Sequence, residues 1–347
     1  MGNLMTFTLE QSKQWDAIVR SFQNHDVYWL SGYVKAFQLH GDGDPLLFYY
    51  EDGNTRGINV VMKRDIAKDQ HFDGVLPEGK YYDFSTPYGY GGWLIEGEDS
   101  LSLFDAYEKW CRKNSVVCEF VRFHPVIKNH TACEKYYTTI ALGETVKIDL
   151  SSPEIIQSKM KSEARTRVRK AIKNGIKIYN GRFPGAFDAF KEVYDKTMDK
   201  DCANPYYYFS PAFYSSICND LPQNVEVFYA IKDDKVISSA IMLLSNGMMN
   251  YHLGGSLPEY SSFGAANLVI YSAAIWGSIN GFKSLYLGGG VGSGEDSLLR
   301  FKKTFNVGDE YDRYYIGKKI FLSGKYEELL GIRRDCADNG FFPAYRS

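Results

Sequence analysis

Hydrophobic positions between Met249 and Asn306 follow two periods, and together they predict an ordered run of elements. The run opens with a strand. From Ala265 to Ile279 apolar residues occupy every face, which predicts a buried helix that Gly281 ends. A short buried strand at 284–287, a glycine loop and a last helix with Asp296 as its N-cap complete it. We expect the rest of the chain to be organised around this run.

The glycine loop, residues 288–294, allows sharp turns or a close approach of backbone to a ligand. A phosphate-binding P-loop has Gly-Lys-Ser/Thr at the helix start, whereas Glu295 and Asp296 stand here and would repel phosphate. A dinucleotide fingerprint belongs early in a βαβ unit, not near the end of a chain. Two interpretations remain: a loop that approaches a ligand, and a packing turn between strand and helix.

The segment before this run predicts helices and antiparallel strands. A helix from Pro153 to Asn174 stops at Gly175, and its apolar stripe has i, i+4 spacing: Ile156, Met160, Ala164, Val168 and Ile172. Further helices and strands are predicted at 176–179, 186–198, 211–220, 225–231 and 236–244.

One face of the predicted 153–174 helix is basic, because Lys161, Arg165, Arg169 and Lys173 recur at the same spacing. Such a face is either simply solvated or an anion-binding ridge that faces phosphates.

The first half repeats the order of elements of the second. Its predicted helices and strands lie at 10–39, 45–50, 57–63, 100–113, 118–124, 136–142 and 145–150. Similar order without sequence repetition predicts two α+β domains of one fold, residues 1–150 and 151–347, with mixed sheets.

Length and composition exclude some classes of function. The 347 residues exceed one typical core, which agrees with two domains. A net charge of −2 excludes whole-molecule basic binding of nucleic acid, so no DNA partner is expected. Tyrosine and phenylalanine are abundant, either to line a polar ligand groove or to fill a Tyr-rich core.

Six scattered cysteines without a C-x-x-C pair indicate neither a zinc site nor a disulfide framework, and no metal ligands are predicted. No apolar run approaches the ~18 residues of a membrane helix. We expect a cytoplasmic protein, with peripheral membrane proximity left open.

Five motifs occur in a characteristic order: PYGYGG at 87–92, RFHP at 122–125, a basic run at 165–175, YHLGGS at 251–256, and LGGG with FKKTF at 287–290 and 301–305. In this order they resemble the bacterial FemABX aminoacyltransferases. That resemblance implies two tandem GNAT-like (acyl-CoA N-acyltransferase) domains, with mostly antiparallel sheets flanked by helices.

The resemblance also implies transfer of an acyl or aminoacyl group to a primary amine of a cell-wall or surface-polysaccharide precursor. It assigns Lys302, beside Phe301, to stabilising charge during transfer, and Lys35 to the precursor's phosphates. The acceptor is a small-molecule or lipid-linked amino sugar or muropeptide.

The donor stays undecided between acyl-CoA and aminoacyl-tRNA, and no permanently bound cofactor is expected. The long helical arm of tRNA-using members is missing from the segment 153–208. The basic residue that opens a coenzyme A pyrophosphate loop is missing at 262–266.

The residues themselves suggest chemistry. Lys302 could stabilise a tetrahedral oxyanion, or be a surface lysine beside Lys303. His252 could act as a general base, or be a structural strand histidine. Asp83 could anchor the acceptor amine or cap a turn. The other candidate substrate-binding residues are Tyr88, Tyr90, Arg122, His124, Arg165, Arg169, Tyr207, Tyr251, Gly289 and Gly290.

No G-x-S-x-G elbow is present, so a covalent acyl-enzyme is not expected. Two alternatives stand beside the main interpretation. One is an acyl-CoA-dependent N-acetyltransferase acting on an amino sugar, and the other is a non-catalytic glycan- or nucleotide-binding protein of the same fold.

Overall fold

The computed structural model describes residues 2–98, 100–292, 294–308, 311–333 and 340–347. The chain divides into two compact units, the first formed by residues up to Leu142 together with Tyr314–Ser347 and the second by Gly143–Arg313. This division differs from a boundary at 150, because the last part of the chain returns to pair with a strand of the first unit.

The chain begins with the elements of the first unit. They are β1 (Asn3–Phe7), α1 (Ser12–Ser21), α2 (Ser31–His40), β2 (Asp44–Glu51), β3 (Arg56–Asp65), β4 (Tyr82–Ser85), β5 (Leu94–Glu96), α3 (Leu101–Lys113) and β6 (Val116–Arg122).

The strand β7 (Thr138–Asp149) leads into the second unit. There follow α4 (Pro153–Lys159), α5 (Ser162–Lys173), β8 (Lys177–Gly181), α6 (Pro184–Lys200), α7 (Pro211–Asp220), β9 (Val225–Lys232), β10 (Lys235–Ser245), β11 (Met248–Ser256), α8 (Ala265–Ile279), β12 (Ser284–Gly288) and α9 (Ser297–Lys303). Then β13 (Asp312–Ile320) leads back to the first unit, which α10 (Ser323–Ile332) completes.

In the first unit the strand order is β1-β2-β3-β4-β6-β13, with β5 beside β3. Every pair is antiparallel except β4 with β6, which are parallel. A parallel pair needs a crossover, and here the crossover contains α3.

In the second unit the order is β7-β12-β11-β10-β9-β8, and the one parallel pair is β11 with β12, joined through α8. One continuous apolar core joins α4, α5 and α8 to the sheet. The predicted α+β fold with mixed, mostly antiparallel sheets is confirmed.

Local patterns located most elements closely. The helix α8 has the predicted bounds, and Gly281 follows it with φ +79°. The predicted helix 153–174 is instead divided between α4 and α5, because Met160 is extended and the Lys161 N–H donates to the Thr304 carbonyl at 2.8 Å. The two strands predicted at 136–150 are the single strand β7.

Within the described ranges, no helix combines the length and the apolar character needed to cross a membrane. The longest described helix is α6, with 17 residues, so the part of the chain that the structure describes contains no long coiled-coil arm.

Candidate active site

The parallel strands β11 and β12 separate near their carboxyl ends. They pair only from Met248 opposite Ser284 to Asn250 opposite Tyr286. Beyond Asn250, β11 continues to Ser256 and stays paired with β10 on its other side. A register shift places Tyr251 opposite Met242 and Leu253 opposite Ile241, so His252 is an extra residue in a β-bulge. The bulge and the lost partner give β11 an open edge.

Lys302 lies beside this opening. Its Nζ donates to the Gly289 carbonyl at 2.6 Å and lies 5.8 Å from the centroid of the Tyr251 ring. Only 8% of the residue is exposed. Burial lowers the pKa of Lys302 to about 8, against the opposing effect of Asp296. Among the described residues Gly289 is the one hydrogen-bond acceptor of this ammonium, which leaves donors for a ligand.

The glycine loop is organised by Asp296. Its carboxylate accepts the N–H groups of Leu299 at 2.7 Å, Val291 at 2.5 Å and Gly292 at 3.4 Å. The predicted N-cap of α9 is therefore confirmed. A Cβ at Gly290 would lie 2.2 Å from the Asp296 carboxylate, so a larger residue there would have to displace that carboxylate. A loop held this way presents the Gly289 carbonyl to Lys302.

A cavity of about 520 Å³ lies at the amino end of α8. Its lining includes the start of α8, from Gly264 to Asn267, and the residues Arg167, Arg300 and Phe301. Among the described residues no side chain caps this helix end, whose positive dipole favours anions. Arg167 and Arg300 add positive charge, and Glu163 is the acidic residue among the described ones that line the cavity.

Gly264 allows α8 to begin against α5. It has φ +79°, and a Cβ there would lie 2.6 Å from the Arg167 carbonyl oxygen. Neither Arg167 nor Arg300 is among the predicted site residues. Arg167 belongs to the basic run noted in the sequence, but its place at the start of α8 depends on packing between distant segments.

The structure does not support a general-base role for His252. Burial lowers its pKa to about 3, so the imidazole stays neutral and too weakly basic to take a proton from an ammonium near neutral pH. Its position in the bulge shapes the strand edge instead.

Asp83 is fully buried and cannot anchor an acceptor amine, contrary to expectation. It pairs with Arg64 at 2.7 Å and Arg346 at 2.6 Å and accepts from the Tyr345 hydroxyl at 2.8 Å. Burial raises its pKa, but the two arginines outweigh burial and lower the pKa overall.

His124 is a structural residue, not a substrate ligand. It is fully buried, its Nε2 lies 3.0 Å from Asp26, and its Nδ1 accepts the Ile127 N–H at 3.2 Å. Tyr90 packs on its ring at 5.3 Å, and Tyr88 stacks on Phe37 at 5.8 Å, so both tyrosines are half-buried.

The other predicted residues occupy varied settings. The guanidinium of Arg165 donates to the carbonyls of Gln157 and Met160, which assigns it to the α4–α5 junction. Lys35 and Arg169 are exposed, Arg122 is half-buried, and Tyr207 is 36% exposed. The structure groups Lys302, Tyr251, Gly289, Gly290 and Phe301 in the second unit.

Among the described residues, no group of three or more His, Cys, Asp or Glu side chains could hold a metal ion. Cys336 lies outside the described residues.

Residues 158–303 match a family model described as an acetyltransferase (GNAT) domain. No curated protein matches the sequence significantly.

Several solved structures are similar over most of their length. A crystal structure of FemX has 13% identity and a TM-score of 0.66, and the match covers 94% of this chain and 99% of that one. The C-terminal domain (DUF2156) of a putative lysylphosphatidylglycerol synthetase from Agrobacterium fabrum has 14% identity, a TM-score of 0.56 and coverages of 96% and 98%. A tandem GNAT protein from the clavulanic acid biosynthesis pathway has 8% identity, a TM-score of 0.50 and coverages of 92% and 99%.

Proposed function

We propose that this chain, an acyltransferase with two tandem GNAT-like domains and a FemABX-like fold, acts on a primary amine of a cell-wall or surface-polysaccharide precursor. It transfers an acyl or aminoacyl group to that amine. The observation that carries this proposal is the buried ammonium of Lys302 beside the opening between β11 and β12, within the matched GNAT region.

The reaction is a direct attack by a neutral amine on an activated ester or thioester. A C–N bond forms, the C–S or C–O bond breaks, and the amine proton leaves with the released thiol or hydroxyl. Negative charge develops on the carbonyl oxygen in between, and a desolvated cation stabilises it strongly. With a pKa of about 8, Lys302 is mostly protonated at pH 7 and can donate to that oxygen.

The donor in this proposal is an acyl-CoA. The cavity at the start of α8 combines a helix amino end with Arg167 and Arg300, a setting that suits a pyrophosphate. The open edge of β11 offers backbone N–H and C=O groups to an extended arm that contains amides, such as pantetheine. The aminoacyl end of a tRNA has no such arm.

The proposed acceptor class rests on the order of sequence motifs, which resembles that of FemABX enzymes. An amino sugar or muropeptide precursor carries phosphates, and the exposed Lys35 is a cation of the kind that would meet them. The compartment proposed for this activity is the cytoplasm, where such precursors are made.

Binding and transfer are tested separately. Calorimetric titration with coenzyme A should show binding that weakens in Arg167→Ala and Arg300→Ala but not in the matched variant Arg169→Ala. Transfer from acetyl-CoA is then measured as release of free thiol with UDP-amino sugars and UDP-muropeptides as acceptors.

Transfer that occurs only with charged tRNA and is abolished by RNase would replace acyl-CoA with aminoacyl-tRNA as the donor. Binding of UDP-muropeptides without any turnover would contradict the proposed transferase activity and favour a non-catalytic binding protein.

A further inference from the structure

The amino-terminal part of the second unit is strongly basic. Between Lys159 and Lys177 there are eight basic residues and a single acidic one, Glu163, in a chain whose net charge is −2. Two of the eight have roles already described. The Arg165 guanidinium donates hydrogen bonds to carbonyls at the α4–α5 junction, and Arg167 lines the cavity. The six that remain form what we call the basic ridge: Lys159, Lys161, Arg169, Lys170, Lys173 and Lys177.

The basic ridge points outward. Ala164, Val168 and Ala171 bury one side of α5 in the core. At 100° per residue, Arg169, Lys170 and Lys173 fall on the opposite side. All six side chains of the ridge are exposed. Arg169, Lys170 and Lys173 therefore share a solvent-facing side of α5, and none of the six ridge residues lines the cavity.

The charges of the ridge are not neutralised by neighbouring acids, unlike those on other helices. On α6, Lys191 pairs with Asp195 and Lys196 with Glu192 at 2.8 Å. In the described ranges no carboxylate lies within ion-pair distance of any of the six ridge residues, although Lys159 acts electrostatically on Asp149. A concentrated, uncompensated positive surface is complementary to a dense array of anions.

We infer that the basic ridge docks the protein on an anionic lipid membrane surface. Five of its six members are lysines, which are flexible point charges suited to diffuse attraction by lipid headgroups. The α5 segment 162–173 contains no aromatic residue for stacking on nucleic-acid bases, and its exposed apolar residue, Ile172, is 58% exposed. An aliphatic side chain among lysines suits the headgroup boundary of a bilayer better than RNA.

The test is sedimentation of the full chain with vesicles of phosphatidylcholine, with and without phosphatidylglycerol. We expect binding only to the anionic vesicles, and release at ~1 M salt, where screening acts within about 3 Å. The double variant Lys170→Gln, Lys173→Gln should weaken vesicle partitioning by on the order of tenfold or more.

The matched control is Lys191→Gln, Lys196→Gln, which removes the same charge from the same unit but from α6. It should partition like the unaltered protein. Circular dichroism melting of both variants establishes that they fold.

Equal weakening in both variants, or no binding to anionic vesicles at low salt, would overturn the inference. Binding to tRNA that depends on Lys170 and Lys173, without vesicle binding, would also overturn it and assign the ridge to nucleic acid. None of these measurements uses an acyl donor or acceptor, so their outcome is independent of the proposed transfer reaction.

Discussion

Each of the two units contains a parallel strand pair joined through a helix, but the two pairs end differently. In the first unit β4 and β6 stay paired from Tyr82 to Ser85, and a bridge between Gly91 and Phe123 follows. In the second unit β11 and β12 pair over three residues and then separate. The same topology is therefore closed in one unit and open in the other.

The side chains around each pair account for this difference. Beside β6, bulky residues such as Trp93, Phe84 and Tyr107 are fully buried and fill the space. At the ends of β11 and β12 the residues include Gly254, Gly255, Gly288 and Gly289, which cannot fill it. Large side chains thus turn one copy of the arrangement into a core, while glycines and a bulge leave the other accessible to a ligand.

Each unit also buries an ionisable group, with opposite consequences. Glu119 accepts hydrogen bonds from Asn59 at 2.9 Å, Tyr107 at 3.0 Å and Tyr137 at 2.7 Å, so both of its oxygens have partners within the core. Lys302 has a single described acceptor, at an opening. A satisfied buried group stabilises a fold, whereas one with donors left over can act on a substrate.

The comparison predicts its largest effect at Lys302. Lys302→Met should lower the rate of transfer by about 10²- to 10³-fold, because the oxyanion loses its charged donor. The matched variant Lys303→Met removes a neighbouring charge that pairs with Glu144, and should keep activity within about threefold, as expected when an oxyanion donor is untouched.

Initial rates with saturating donor check this, with thermal melting to confirm folding. Similar losses in both variants would remove the special role of Lys302 and leave the two strand pairs functionally alike.

A second prediction concerns pH. The role proposed for Lys302 requires a charged ammonium, and burial lowers its pKa to about 8, so activity should fall roughly tenfold per pH unit above that value as the ammonium loses its proton. Rate profiles between neutral and alkaline pH measure this limb.

Lys302→Arg keeps its charge at alkaline pH and should abolish the limb wherever residual activity can be measured. An unchanged limb in that variant would assign it to another group, such as the substrate amine.

A smaller effect is expected at the cavity of the open unit. Arg167→Ala should raise KM for the donor about tenfold, because the donor loses one charge-assisted contact. The value of kcat should be nearly unchanged, since the contact is not to the reacting group. Arg169→Ala, two residues along α5 and outside the cavity, serves as the control. A loss in kcat rather than KM would indicate that Arg167 acts on the reacting group instead of on the donor's phosphates.

The closed unit should respond in stability and not in catalysis. Burial raises the pKa of Glu119 from its ordinary value of 4.5 to about 7. Between these two pH values the carboxyl is protonated in the folded protein but ionised in the unfolded chain. Stability should therefore fall as pH rises from about 4.5 through 7, by roughly 3 kcal/mol at most.

Glu119→Gln should abolish that fall, as measured by urea unfolding at pH 5 and pH 8, whereas the exposed Glu134→Gln should not. A change in transfer rate larger than the change in folded fraction would contradict a purely structural role for the closed pair.

Several elements could be read from local pattern alone. The bounds of α7 and α8 and the N-cap at Asp296 all follow from neighbouring residues. Where the structure differs from the prediction, residues far apart in the sequence are in contact. The predicted 153–174 helix is interrupted where the Lys161 N–H donates to the Thr304 carbonyl. The predicted division at residue 150 differs because β13 pairs with β6 of the first unit.

Some residues of the candidate site could likewise be predicted from the sequence, and others could not. Lys302 stood out through its neighbouring motif, and the structure places it at the opening between β11 and β12. Asp83 and His124 stood out equally by residue type, yet both are buried on internal partners. Arg167 and Arg300, which line the cavity at the start of α8, were not predicted, because their neighbours along the chain do not show which arginines line a cavity.

The sequence by itself determined the order of the elements, the tandem arrangement and the chemical types available, because periodicity, caps and turns act over a few residues. Only the tertiary structure decided which charged groups remain free to act. Arg346 neutralises Asp83 across 263 residues of chain, while Lys302 is desolvated with donors to spare. Burial and charge pairing depend on what the folded chain brings together in space, and these set the pKa and the reach of each group.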